Sequence, residues 1–134
     1  MAGKKTMQTL DQERAAFAWG CVSKAREKAE VDYESYTNLA KSAPALIMSN
    51  GLMPTLAFFE QKYDEKKGKN LHARELNNAL LYWLAEHVSD SKAHDYKDVM
   101  RSLHNANSTQ YLHATEEALE ILRWIRQFAP TLKG

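Results

Sequence analysis

The sequence predicts an all-α fold, a single-domain compact bundle of about six helices. Three observations carry that prediction. Apolar residues recur at helical spacing in two long stretches, Leu76-Leu80-Trp83-Leu84-His87 and Tyr111 to Ala129. No alternating run of β-branched residues marks a strand. Between Ala43 and Lys62, a helix stop at Ser49-Asn50-Gly51 is followed almost at once by a helix start at Pro54. Glycine takes positive φ at a helix end without steric cost. Proline suits a first helical turn, where the amide hydrogen it lacks would be unpaired. A corner this tight, flanked by Ala45-Leu46-Ile47 and Leu56-Ala57-Phe58-Phe59, belongs inside a bundle and joins two core helices.

The elements follow in order. Thr9 and Gln12 have capping-box spacing, so the first helix runs from Thr9 to about Ala29. A second, from about Asp32 to Lys41, carries Tyr33, Tyr36 and Ala40. Ser42 is placed to cap a short third helix with Pro44 in its first turn and Gly51 at its end. The fourth runs from Pro54 to about Lys66, with Gly68 as its stop. The fifth covers about Leu71 to Val88 and is broken by Ser89-Asp90-Ser91. Asp95 to Leu103 reads as a short helix or a loop. The last helix runs from about Ser108 to Ala129, ended by Pro130. The bundle domain is thus 9–130, with tails at 1–8 and 131–134.

A chain of 134 residues with 44% apolar and 26% charged residues has an ordinary globular composition, large enough to bury a core. No apolar run approaches the ~20 residues of a membrane helix, and the polar N-terminus does not read as an export signal. The single cysteine, Cys21, has no internal disulfide partner, which fits a cytoplasmic location. Net charge is +1, which argues against binding nucleic acid through bulk charge alone. Residues 1–29 hold six basic and three acidic side chains, whereas 30–41 hold three acidic and one basic. Such opposed patches suit either a self-stacking subunit or the surface of any soluble protein.

The search for catalytic chemistry comes back empty. No two of the five histidines (His72, His87, His94, His104, His113) are three or four residues apart, so no helix face presents paired metal ligands. Cys21 falls on the apolar arc of the first helix and reads as core. Glu116, Glu117 and Glu120 read as acidic residues favoured by the positive end of a helix dipole. The sequence therefore predicts no active site, no metal and no cofactor.

Surfaces are more informative. At ~100° per residue, Leu10, Phe17, Ala18, Cys21, Ala25 and Ala29 share one arc of the first helix, and Arg14 falls within it. A charge there is costly unless paired, so Arg14 is a snorkelling side chain, a structural ion pair, or a contact to the RNA backbone or another subunit. Trp19 lies opposite, near Ser23 and Arg26, and marks either a contact surface or a second layer of the bundle. On the last helix, Leu112, Leu119, Arg123 and Arg126 share an arc. That mixture suits a partner interface or a solvated face. Lys62, Lys66, Lys67 and Lys69 cluster at the expected end of the fourth helix, where the dipole favours them; phosphate neutralisation is the other reading.

The 43–62 stretch resembles the signature of the small α-helical subunit of the Cmr complex, the type III-B CRISPR–Cas effector that targets RNA. The matching positions are Pro44, Ser49, Asn50, Gly51, Leu52, Thr55, Leu56, Ala57, Phe58 and Lys62. Further blocks resemble the same family: Thr9 to Arg14 with Ala18 and Val22, then Leu81-Tyr82-Trp83-Leu84, then Ala114 to Leu119 with Trp124, Arg126, Phe128 and Ala129. The chain departs from the pattern at Pro54 and in a short, lysine-rich 63–72 connection. The resemblance implies a non-catalytic architectural subunit in antiviral defence. Such subunits stack into a short filament beside the backbone subunits that hold the CRISPR RNA, and they contact the guide–target RNA duplex through its backbone. Its implied partners are the backbone and large subunits, further copies of itself and that duplex, with no membrane. Candidate contacts are Arg14, Trp19, Arg26, Lys62, Arg123 and Arg126. The other readings are the small subunit of the sister type III-A complex, and a helical enzyme or metal protein without a signature.

Overall fold

The computed structural model describes residues 8–64, 66–89 and 91–132. Most of the two expected tails, residues 1–7 and 133–134, lies outside them, as does Asp90 of the expected break. Six α-helices are present among the described residues: α1 (Leu10–Glu27), α2 (Tyr33–Asn50), α3 (Leu52–Lys62), α4 (Leu71–His87), α5 (Tyr96–Asn105) and α6 (Ser108–Phe128). A 3₁₀ turn, Ala129–Leu132, continues from α6. The all-α, single-domain expectation holds.

Local chemistry sets the starts. Thr9 accepts from the Gln12 amide at 3.1 Å, and the Gln12 side chain accepts from the Thr9 amide at 2.8 Å, the reciprocal box read from the spacing. Asp32 caps α2 through Ser35, Asp95 caps α5 through Asp98, and Asn107 with Gln110 forms a second capping box on α6. The open choice over 95–103 is thereby decided for a helix.

Several boundaries differ from expectation. α1 ends at Glu27, and Ala29 is exposed rather than core. The expected second and third helices are one continuous element, α2, with Pro44 inside it. Proline removes one backbone bond there, but Ala40, Ala43 and Ile47 continue a single buried stripe, and packing outweighs the lost bond. Ser42 caps nothing; its hydroxyl donates to the Leu39 carbonyl at 3.1 Å. α3 ends at Lys62, not Lys66, and a tight reversal follows, closed by paired backbone bonds between Asp64 and Lys69 at 3.0 and 3.2 Å.

The corner is a single residue. Gly51 ends α2 and begins α3, with φ +98° and ψ 163°. Its backbone is extended at positive φ rather than left-handed helical, a region essentially restricted to glycine. α3 starts at Leu52, so Pro54 is third in the helix rather than first. It still falls within the first turn, whose amides are unpaired by the helix itself. The Met53 amide donates instead to the Tyr111 hydroxyl at 3.0 Å, so α6 caps α3 from across the fold.

α6 and α4 are the inner helices. α6 packs most extensively on α1 and also meets α2, α3 and α4, while α4 touches every other helix. The core they share with α1, α2 and α3 includes Val22, Tyr36, Leu52, Leu56, Phe59, Leu76, Leu80, Leu84, Ile121, Leu122 and Ile125, all fully buried. The aliphatic and phenylalanine side chains among them each contribute roughly 1.5–3 kcal/mol of transfer free energy. Asn77, also fully buried, donates to the Leu56 carbonyl at 3.2 Å and to Glu60 at 3.1 Å, tying α4 to α3.

Candidate contact surfaces

Arg14 and Glu117 form the principal polar feature of the interior. Arg14 Nε donates to Glu117 Oε1 at 3.1 Å, and its terminal nitrogen grips Oε2. Trp83 Nε1 donates to the same Oε1 at 2.9 Å. Glu117 is buried, whereas the Arg14 side chain keeps 15% of its surface in water. Burial pushes the Glu117 carboxyl up, but the hydrogen bonds from Arg14 and Trp83, with the charges of Arg14 and His113, hold it below its ordinary value. The cluster joins α1, α4 and α6, so Arg14 is a structural ion pair in this fold. Glu117 is not an acidic residue in a first turn: it lies well along α6, whose first turn has none. Its position was legible, since Ala114, Ala118 and Ile121 flank it on the buried arc.

Trp19 is 44% exposed and meets Phe128 edge-on at 5.3 Å, while Trp124 stacks on Phe128 at 5.5 Å. Trp124 Nε1 donates to Asp11 at 3.2 Å, and Arg123 lies over the Trp124 ring at 5.1 Å. Arg123 also pairs with Glu120 at 3.3 Å and reaches Asp11 at 4.0 Å. An aromatic row with basic flanks thus runs along the α1–α6 seam. Arg126 is exposed on α6, with no ion pair among the described residues. Arg26 sits farther along α1, donating to the Leu132 carbonyl at 2.9 Å and lying over Tyr33 at 5.4 Å. It clamps the 3₁₀ turn, and Tyr33 helps by donating to the Ala129 carbonyl at 2.6 Å. The helical fold therefore continues to Leu132, past the expected boundary at 130.

The fold thus brings Arg14, Trp19 and Arg123 together along one seam. Lys62 stands apart on α3, 5.8 Å above the Phe58 ring.

The corner divides between inside and outside. Leu52, Thr55, Leu56 and Phe59 are buried, while Leu46, Asn50, Pro54 and Phe58 line a shallow hollow with Thr55 at its floor. Phe58 is 49% exposed. The corner is therefore also a surface, contrary to the expectation that it sits wholly inside. α3 is short, and with one face turned to α4 its other face is left to solvent.

Cys21 is half-buried against the core, and burial pushes its thiol up to about 12, which leaves it a poor nucleophile. Among the described residues, no group of three or more histidine, cysteine or acidic side chains is placed to hold a metal. No helix among the described residues is long and apolar enough to cross a membrane.

The profile of the family described as CRISPR-associated protein (Cas_Cmr5) matches residues 10–132. Among solved structures, the chain is similar to a CRISPR-associated Cmr5 family protein from Thermus thermophilus. That match has a TM-score of 0.73 and 25% identity, covering 95% of this chain and 99% of the other. Every helix of the bundle falls within the matched residues, the Gly51 corner and the α1–α6 seam included. The chain therefore belongs to the CRISPR-associated Cmr5 family, the small subunits of the Cmr complex in CRISPR defence.

Proposed function

We propose that this chain is a non-catalytic architectural subunit of a cytoplasmic type III-B effector. It stacks into a short filament beside the CRISPR RNA–bound backbone and contacts the guide–target RNA duplex through its phosphates. The observation that carries the reading is the pairing of a Cmr5-family bundle with two solvent-facing surfaces of different character. One is the apolar corner of Leu46, Pro54 and Phe58, where apolar area is available to a neighbouring protein. The other is the α6 face carrying Arg123 and Arg126, whose forked guanidiniums suit phosphate oxygens. Its partners are the backbone and large subunits, further copies of itself and the RNA duplex. The family match favours this assignment over the small subunit of the type III-A complex.

Co-expression with the Cmr backbone subunit, the large subunit and a CRISPR RNA tests it. The chain should be retained through affinity purification on a tagged backbone subunit. Failure to co-purify would overturn the assignment, and so would stoichiometric metal with nuclease activity in the isolated protein.

A further inference from the structure

The α3–α4 connection carries a basic cluster that helix electrostatics do not explain. Between Lys62 and Arg74 the sequence has five basic side chains against two acidic ones. Lys66, Lys67 and Lys69 were open to a simple reading as cations favoured by a helix C-terminus. α3 stops at Lys62, however, and the dipole's influence falls off within the last turn of a helix. All three lysines are exposed on the reversal, and none has an ion pair among the described residues.

The reversal is held in shape without using those lysine side chains. Asp64 and Lys69 pair through their backbones, and the Lys67 amide donates to the Asp64 carboxylate at 3.2 Å. Asn70 donates from its side chain to the Lys62 carbonyl at 3.0 Å. Gly68 at φ +62° and Asn70 at φ +61° complete the turn. At its two ends the cations lie over aromatic rings, Lys62 over Phe58 at 5.8 Å and Arg74 over Tyr63 at 4.9 Å. His72 is held below its ordinary value, first by burial and then by the charge of Lys62, with Asp32 acting the other way.

We propose that this lysine reversal is a second, sequence-independent contact to an RNA phosphodiester backbone, separate from the arginine face of α6. Exposed ammonium groups on a hydrogen-bonded turn neutralise phosphates, and counterion release drives such binding. The proposal rests on the reading of the chain as part of an RNA-targeting particle.

The test measures binding of a short labelled RNA, single-stranded and duplex, by fluorescence anisotropy across a salt series. The variants are K66Q/K67Q/K69Q, the charge-keeping K66R/K67R/K69R, and R123Q/R126Q. Loss of three phosphate contacts should reduce the slope of log K against log salt by about 2 for a single strand. The arginine-substituted loop should keep the wild-type slope, and R123Q/R126Q should retain the loop's share of it. An unchanged slope in the glutamine variant would overturn the proposal. So would the same loss in the charge-keeping variant, or no RNA binding by wild type at low salt. Co-purification with the tagged backbone subunit separates the two readings. A chain that assembles but shows no loop-dependent slope loses only this inference. A chain that never assembles loses the subunit assignment, whatever its slope.

Discussion

Arg14 on α1 and Glu117 on α6 hold each other through a forked ion pair across 103 residues of sequence, with Trp83 of α4 donating to the same carboxylate. Removing the cation strands a buried carboxylate, a loss of roughly 3–5 kcal/mol for fully buried pairs. Arg14 keeps some contact with water, so Arg14→Ala should cost less, about 2 kcal/mol by urea denaturation. An unchanged midpoint would show that the pair is ornamental.

The same pair sets an acid limit. The carboxyl of Glu117 titrates below its ordinary 4.5 in the folded chain, so between the two values the unfolded state binds more protons. Its contribution is complete above pH 4.5 and is lost as pH falls through the lowered value. Asp32, the α2 cap, is also lowered, chiefly by the hydrogen bonds from Ser35, and acts in the same direction. Thermal melts between acidic and neutral pH should show Glu117→Gln with a shallower acid slope than wild type. Parallel profiles would contradict the assignment.

Gly51→Val tests the corner. A Cβ there would meet Pro54 Cδ at 3.5 Å and the Tyr111 hydroxyl at 3.7 Å, which is ordinary contact. The strain therefore comes from the backbone at φ +98°, and should cost ~1–3 kcal/mol. A melting temperature equal to wild type would refute the geometry.

Arg123→Ala with Arg126→Ala should change stability by less than about 1 kcal/mol, because exposed ion pairs contribute little. Target-RNA binding by the assembled complex should nevertheless weaken. A large fall in melting temperature would make the two residues structural instead.

Phe58→Ser removes exposed apolar area and should leave the melt nearly unchanged. The amount of this chain retained per backbone subunit should drop in the purified complex. Unaltered occupancy would remove the corner from the interface.

Most of the fold was legible because its signals are local. The Thr9–Gln12 box, the stop and restart around Gly51, and the apolar stripes of α4 and α6 each depend on residues a turn or two apart. Local rules failed where packing overruled them: Pro44 reads as a helix start but lies inside α2. They also failed at the fourth helix, whose lysine-rich tail looked helical and is a reversal.

The sequence by itself determined the class, the corner and the family resemblance, since periodicity, caps and motif spacing are written along the chain. Only the tertiary structure decided which polar groups meet. Arg14 finds Glu117 and Trp83, the Met53 amide finds Tyr111, and Asn77 finds Leu56 and Glu60. Each pairing joins different helices, and its partner is chosen by how those helices dock. The same docking decided exposure, turning Leu52 and Thr55 of the motif inward and leaving Asn50 and Phe58 at the surface. A helix has a buried side and a wet side only once its neighbours are in place.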